Sequence, residues 1–134
     1  MTQEQKELLL KDICARLPYG VKAQIKNEIV VLDSICDDDG YHFNFICEDR
    51  EGVTIEQIKP YLFPLSSMTD EEYAIYFKIW EDAGKMAYLE GCHNLIINNK
   101  AYTAANDYLL SKKYDINGLI PKVLANDATG LNIY

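Results

Sequence analysis

Two periodicities share this chain, and the change from one to the other divides it. Leu9, Leu10, Ile13, Cys14 and Leu17 recur at three- and four-residue spacing, which puts them on one face of an N-terminal helix. Thr2 followed by Gln5 has the form of a capping box at its start. Pro18 and Gly20 stop it. From Val21 the period shortens to two. Val21, Ala23 and Ile25 alternate with Lys22, Gln24 and Lys26, and Asn27 with Glu28 makes a turn. Ile29 to Ile35 is rich in β-branched residues, and Asp37-Asp38-Asp39-Gly40 reads as a hairpin turn with Gly40 free to take positive φ. Tyr41, Phe43, Phe45 and Cys47 alternate with His42, Asn44 and Ile46. After a turn over Glu48 to Gly52, Val53 to Ile55 makes a short fourth strand.

The segment Ile58 to Thr69 breaks the pattern. It holds Pro60 and Pro64 with Tyr61, Leu62, Phe63 and Leu65, and carries no charge from Pro60 onward. Each proline removes a backbone donor and fixes φ, so the segment predicts a rigid connector rather than a helix or a central strand. Its apolar side chains predict that it is pinned to a core. Beyond it the spacing is helical. Thr69 with Glu72 forms a second capping box, and Tyr73, Tyr76, Phe77, Trp80, Ala83 and Ala87 make a wide apolar stripe. That helix is expected to reach Leu89 or Glu90, with Gly91 as its stop. A helix over about Thr103 to Lys113 turns Ala105, Tyr108 and Leu109 inward, and a last short helix is expected around Leu119, Ile120, Val123 and Leu124.

Together these elements predict one α+β domain over residues 1–134. An N-terminal helix, a four-stranded antiparallel meander over about Val21–Ile58 and the connector fill residues 1–69. Residues 70–134 are expected to be mainly helical. A small SH3-like barrel is one way for such a sheet to close.

Composition narrows the partners more than the fold. The net charge is −8, and nine acidic residues face one basic residue, Arg50, between Glu28 and Glu56. Such a chain gains little counterion-release affinity for a phosphate backbone, which disfavours general nucleic-acid binding. The start, with charged residues around a run of three leucines, lacks the form of a secretory leader, and no apolar run approaches a membrane span. Cys14, Cys36, Cys47 and Cys92 are scattered without a C-x-x-C pair. These features predict a cytoplasmic protein with free, mostly buried thiols.

Candidate chemistry is thin. Cys36, His42, Cys47, Cys92 and His93 match no compact zinc spacing. An EF-hand centred on Gly40 would need an acid where Ile35 stands and a glutamate where Ile46 stands. No nucleophile elbow, glycine-rich phosphate loop or H-E-x-x-H helix is present. The expectation is no enzyme activity, no cofactor and no metal. The stripe Tyr73, Tyr76, Phe77 and Trp80 has two readings, a core face or a partner-binding face, and helical spacing favours the core.

Three segments, Leu17-Pro18-Tyr19-Gly20-Val21-Lys22, Ile58–Thr69, and Gly118-Leu119-Ile120 with Leu124-Ala125 and Asp127-Ala128-Thr129-Gly130, resemble a group of small uncharacterised proteins encoded by gut Bacteroides and their phages or integrated elements. The resemblance implies a bacterial or phage-encoded cytoplasmic protein and transfers no catalytic residue. The function expected from all of this is non-catalytic binding of another macromolecule, a protein. The candidate surface is the acidic rim of the meander, Asp37, Asp38, Asp39, Glu48, Asp49 and Glu51, beside Tyr61 and Phe63 if these are exposed. The alternative is an SH3-like nucleic-acid-binding module using Lys22, Lys26 and the Lys100–Lys113 region.

Overall fold

A computed structural model of the chain describes the backbone of residues 1–37, 43–47, 50–89 and 99–134, and side chains outside 35–52 and 83–101. Helix α1 (Gln3–Arg16) leads into strands β1 (Lys22–Ile25), β2 (Glu28–Asp37), β3 (Phe43–Cys47), β4 (Arg50–Thr54) and β5 (Ile58–Leu62). Helices α2 (Asp70–Leu89) and α3 (Asn99–Ser111) follow, and a two-residue strand β6 (Asn126–Asp127) comes last. One sheet runs in the order β4-β3-β2-β1-β5-β6.

Local chemistry accounts for most of the boundaries. Thr2 and Gln5 do form the reciprocal capping box: Gln5 N–H donates to Thr2 Oγ1 at 3.2 Å and Thr2 N–H to Gln5 Oε1 at 2.9 Å. Gly20, in the left-handed region at φ 75°, closes the turn over Leu17–Tyr19 that ends α1. Strands β1 to β4 pair antiparallel in sequence order, as a meander should. Val21, Ala23 and Ile25 are buried on one face of β1, as the alternation requires.

Two expectations fail in the connector. Ile58–Leu62 is a strand, antiparallel to β1 with Ala23 opposite Pro60, and it lies inside the sheet. Proline is tolerated because β6 pairs only with Tyr61 and Leu62, so at Pro60 the strand has a single neighbour and behaves locally as an edge. The β5–β6 pair is parallel, so the sheet is mixed rather than wholly antiparallel. A parallel partner 65 residues downstream leaves no local periodicity signal, since Asn126 and Asp127 are too few to show one. Pro60, Tyr61 and Leu62 are buried as expected, whereas Phe63 is half-buried and Leu65 exposed.

The last expected helix is one turn only. Leu124 N–H bonds to Leu119 O and Val123 N–H to Ile120 O, with Val123 itself at φ 61°. A left-handed residue there ends the turn before a second can form. From Lys112 to the end the chain is turns, bends and β6, so the second half is helical only over α2 and α3.

The core joins α1 to the sheet and to the C-terminal turns: Leu9, Ile13, Val21, Ala23, Leu32, Ile58, Leu62, Leu119 and Leu124 belong to one cluster. A buried polar cluster ties the same three parts together. Arg16 grips Asp12 through Nε–Oδ2 at 2.6 Å and Nη2–Oδ1 at 3.0 Å, both side chains fully buried. Arg16 Nη2 also donates to Tyr114 O at 2.7 Å, and Asn117 Nδ2 donates to Asp12 Oδ1 at 2.7 Å. Asp115, likewise buried, accepts from the N–H groups of Leu119 and Ile120 at 2.8 and 2.9 Å. Cys14, by contrast, is exposed: Asp12 and Arg16 take the inward positions of the last turns of α1.

Candidate interaction surface

Helix α2 is apolar around much of its circumference. Ile75, Ile79, Tyr76, Trp80, Tyr73 and Phe77, in that angular order, span roughly 200° at 3.6 residues per turn. A helix packed on one neighbour covers a stripe little more than about half that wide. The exposures follow this geometry. Tyr76, Ile79 and Trp80, in the middle of the arc, are half-buried, whereas the flanks are open: Tyr73 is 58% exposed, Phe77 53% and Ile75 50%. The stripe that helical spacing favours as core is therefore core only along its centre.

The open flank continues onto α3. Tyr73 and Phe77 stack at 6.4 Å between ring centres, Trp80 stands edge-on to Tyr76 at 6.3 Å, and Trp80 meets Tyr102 edge-on at 6.4 Å. Tyr102 is itself 56% exposed. At the foot of the helix a notch of about 390 Å³ is lined by Leu65, Met68, Tyr73, Tyr76 and Leu109, with Asp70 at its lip. Asp70 and Glu81 border the Phe77 flank, and Glu71 and Asp82 border the Ile75 flank, all four exposed. Apolar surface with an acidic frame is the result.

The first turn of α2 anchors this face to the body. Thr69 Oγ1 accepts from Glu72 N–H at 3.2 Å and donates to Glu72 Oε1 at 3.1 Å, while Glu72 Oε2 accepts from Tyr114 Oη at 2.8 Å. Glu72 thus serves two hydroxyls. Burial pushes the Tyr114 phenol far above the ordinary tyrosine range, with the bond to Glu72 and its negative charge adding to the shift. Tyr108 is raised in the same direction by burial and then by Glu72.

A second concavity, of about 700 Å³, lies beside that anchor, between the end of α3 and the C-terminal strap. Lys22, Lys112 and Lys113 reach it, with Phe63, Tyr114 and Tyr134 as aromatic walls. Each of the three segments that carry the Bacteroides resemblance contributes to its lining: Gly20 and Lys22 from the first, Phe63 and Ser67 from the second, Thr129 and Gly130 from the third.

Of the rim residues singled out from sequence, Tyr61 is corrected outright. It is 9% exposed, held inside the sheet between β1 and β6, and offers no surface. Phe63 is half-buried and faces the second concavity. Asp37 ends β2 and Glu51 lies in β4, but their side chains, and Asp38, Asp39, Glu48 and Asp49 entirely, lie outside the described residues. The same holds for the side chains of Cys36, His42, Cys47, Cys92 and His93. Among the described residues no group of three or more His, Cys, Asp or Glu side chains could hold a metal ion, and no helix is long and apolar enough to cross a membrane. No family model, no curated protein and no solved structure matches the chain.

Proposed function

We propose that this chain is a non-catalytic protein-binding module that presents the Tyr73–Phe77 flank of α2, with Tyr102 of α3, to its partner. The observation that carries the reading is the exposure of Tyr73, Phe77 and Tyr102 along one side of the helical pair, each at more than half. Contiguous apolar surface of this kind marks interaction sites, and aromatic side chains are the usual anchors of protein interfaces. The acidic frame of Asp70, Glu71, Glu81 and Asp82 selects a partner whose apolar anchors are flanked by Lys or Arg. The notch beside Tyr73 takes one such anchor. Glu72 and Tyr114, the titratable pair nearest the face, are engaged with each other and with Thr69, which supports binding rather than acid–base chemistry here. The return of β5 beside β1 after a four-strand meander supports an SH3-like closure of the sheet. The resemblance of the three segments supports a cytoplasmic setting in a Bacteroides host or its phage.

A pull-down from host lysate tests the assignment with two variants that leave the core untouched. Tyr73→Ser with Phe77→Ser is expected to lose a partner that the native chain retains, with the loss larger at high salt, where screening weakens the attraction of the intact acidic frame. Loss instead with Asp37, Asp38 and Asp39 changed to Asn moves the surface to the β2–β3 hairpin. Retention by both variants overturns both surfaces.

A further inference from the structure

The second concavity has an electrostatic character opposite to that of the chain as a whole. In a protein of net charge −8, its described lining brings three lysines together with one carboxylate, Glu72, which already accepts from Tyr114. The lysines are held rather than loosely solvated. Lys113 Nζ donates to Tyr19 O at 2.5 Å and Ser111 O at 3.1 Å, and Lys22 Nζ donates to Ile133 O. Both ammonium groups lie within 6 Å of the Tyr134 ring centre, at 5.8 Å for Lys22 and 5.5 Å for Lys113. The ring is fixed in turn: its hydroxyl donates to Tyr61 O at 2.8 Å and accepts from Lys22 N–H at 2.9 Å, and Phe63 packs on it at 5.9 Å.

The backbone at Lys113 adds an independent sign. Tyr114 N–H bonds to Leu109 O and Lys113 N–H to Leu110 O, which closes α3 in a Schellman motif with Lys113 at the left-handed position, φ 65°. Glycine is the favoured residue there, because a side chain crowds the backbone at that φ. A residue that breaks a local rule is expected where its side chain has another task. Burial also lowers the basicity of the Lys113 amine, and the charges of Arg16 and Lys112 lower it further. An anion seated there would relieve that repulsion.

We propose that this cleft binds a small ligand carrying a phosphate or carboxylate on a flat aromatic body. Lys113 and Lys112 receive the anion, Lys22 supports it, and Phe63 and Tyr134 flank the ring. The volume suits a ligand of that size. Lys contributes here as a point charge with spare donors, so recognition is by charge and ring stacking rather than by a bidentate fork.

The probes are phenyl phosphate and inorganic phosphate, titrated calorimetrically and followed by resonance shifts. Saturable binding of phenyl phosphate with a Kd at least about tenfold below that of phosphate is expected, because only the former uses the aromatic walls. Lys113→Gly is the informative variant, since glycine suits φ 65° and the fold is retained, as a melting curve will check. It is expected to weaken phenyl phosphate about tenfold, and Lys112→Met to weaken it less. Equal affinity for the two probes, or an unchanged Kd in Lys113→Gly, overturns the proposal. So does tighter binding of a ten-nucleotide thymidine strand than of phenyl phosphate, which would make the cleft part of a nucleic-acid groove. Tyr73→Ser with Phe77→Ser is expected to leave phenyl phosphate binding intact, so this site and the α2 face stand or fall separately.

Discussion

In the body of the protein, helix α1, the sheet and the C-terminal turns share a core whose large apolar side chains are completely hidden: Leu9, Ile13, Leu32, Leu62 and Leu119 are 0–1% exposed. In α2 the corresponding side chains are larger and half or more in solvent, from Ile75 at 50% to Tyr73 at 58%. Hydropathy does not separate these regions; the number of neighbours does. The central strands have partners on two sides and α1 covers them, whereas among the described residues α2 has α3 along one side and is bonded to the body through Glu72. An apolar stripe states what a helix can bury, and only its surroundings decide how much of it is buried.

Substitutions at the polar heart of the body sharpen this contrast most. Asp12→Ala leaves Arg16 buried without its counter-charge and is expected to cost about 3–5 kcal/mol, read from denaturant unfolding. A loss near that of an exposed ion pair would show that the body is looser than its burial implies. Leu62→Ala is expected to cost about 2–5 kcal/mol through the cavity it leaves. Phe77→Ala, though it removes a bulkier group, is expected to cost less than about 1 kcal/mol. Comparable costs for the two would break the comparison. Hydrogen exchange offers the same test without mutation: amides of α2 are expected to open at lower free energy than those of β1.

Smaller effects probe strain and the junction. Val123 is 70% exposed and β-branched at φ 61°, so Val123→Gly is expected to stabilise the body by about 1 kcal/mol. Unchanged stability would mean that the unfolded-state entropy of glycine offsets the strain. At the junction, the folded protein holds the Tyr114 proton at pH values where the unfolded chain has lost it. The folded state then binds more protons, so stability falls as pH rises past the ordinary tyrosine pKa near 10. Lys113 acts oppositely: its folded amine deprotonates first, and stability rises as pH climbs toward its ordinary value of 10.5. Tyr114→Phe removes the first contribution and is expected to flatten the alkaline fall, measured by unfolding between about pH 9 and 11. An unaltered slope would show that the Tyr114–Glu72 bond does not tie α2 to the body.

Much of the fold was legible locally. Thr2 and Gln5 announce α1, the alternation at Val21, Ala23 and Ile25 announces β1, and Thr69 announces α2, because caps and periodicity act between residues a few positions apart. Asp12 and Arg16 stand at i,i+4 spacing in the sequence, but that spacing carries no information on their burial. Single aromatics are no easier to place: Tyr61 and Tyr73 are the same residue type in aromatic stretches, and one lies in the sheet while the other faces solvent. The cleft left no mark on any single segment. Lys22, Phe63, Lys113 and Thr129 are far apart along the chain and meet only around the C-terminal strap.

The sequence by itself determined the starts of α1 and α2, the four-strand meander and the acidic balance, each set by short-range sterics, hydrogen bonding or summed charge, whereas α3 starts at Asn99 rather than near Thr103. Only the tertiary structure decided that Pro60 sits in a paired strand, that Asp127 adds a parallel neighbour to it, and that the aromatic flank of α2 stays open. Those outcomes depend on which distant backbone arrives alongside, and that is settled by the competition of all the buried faces for one core.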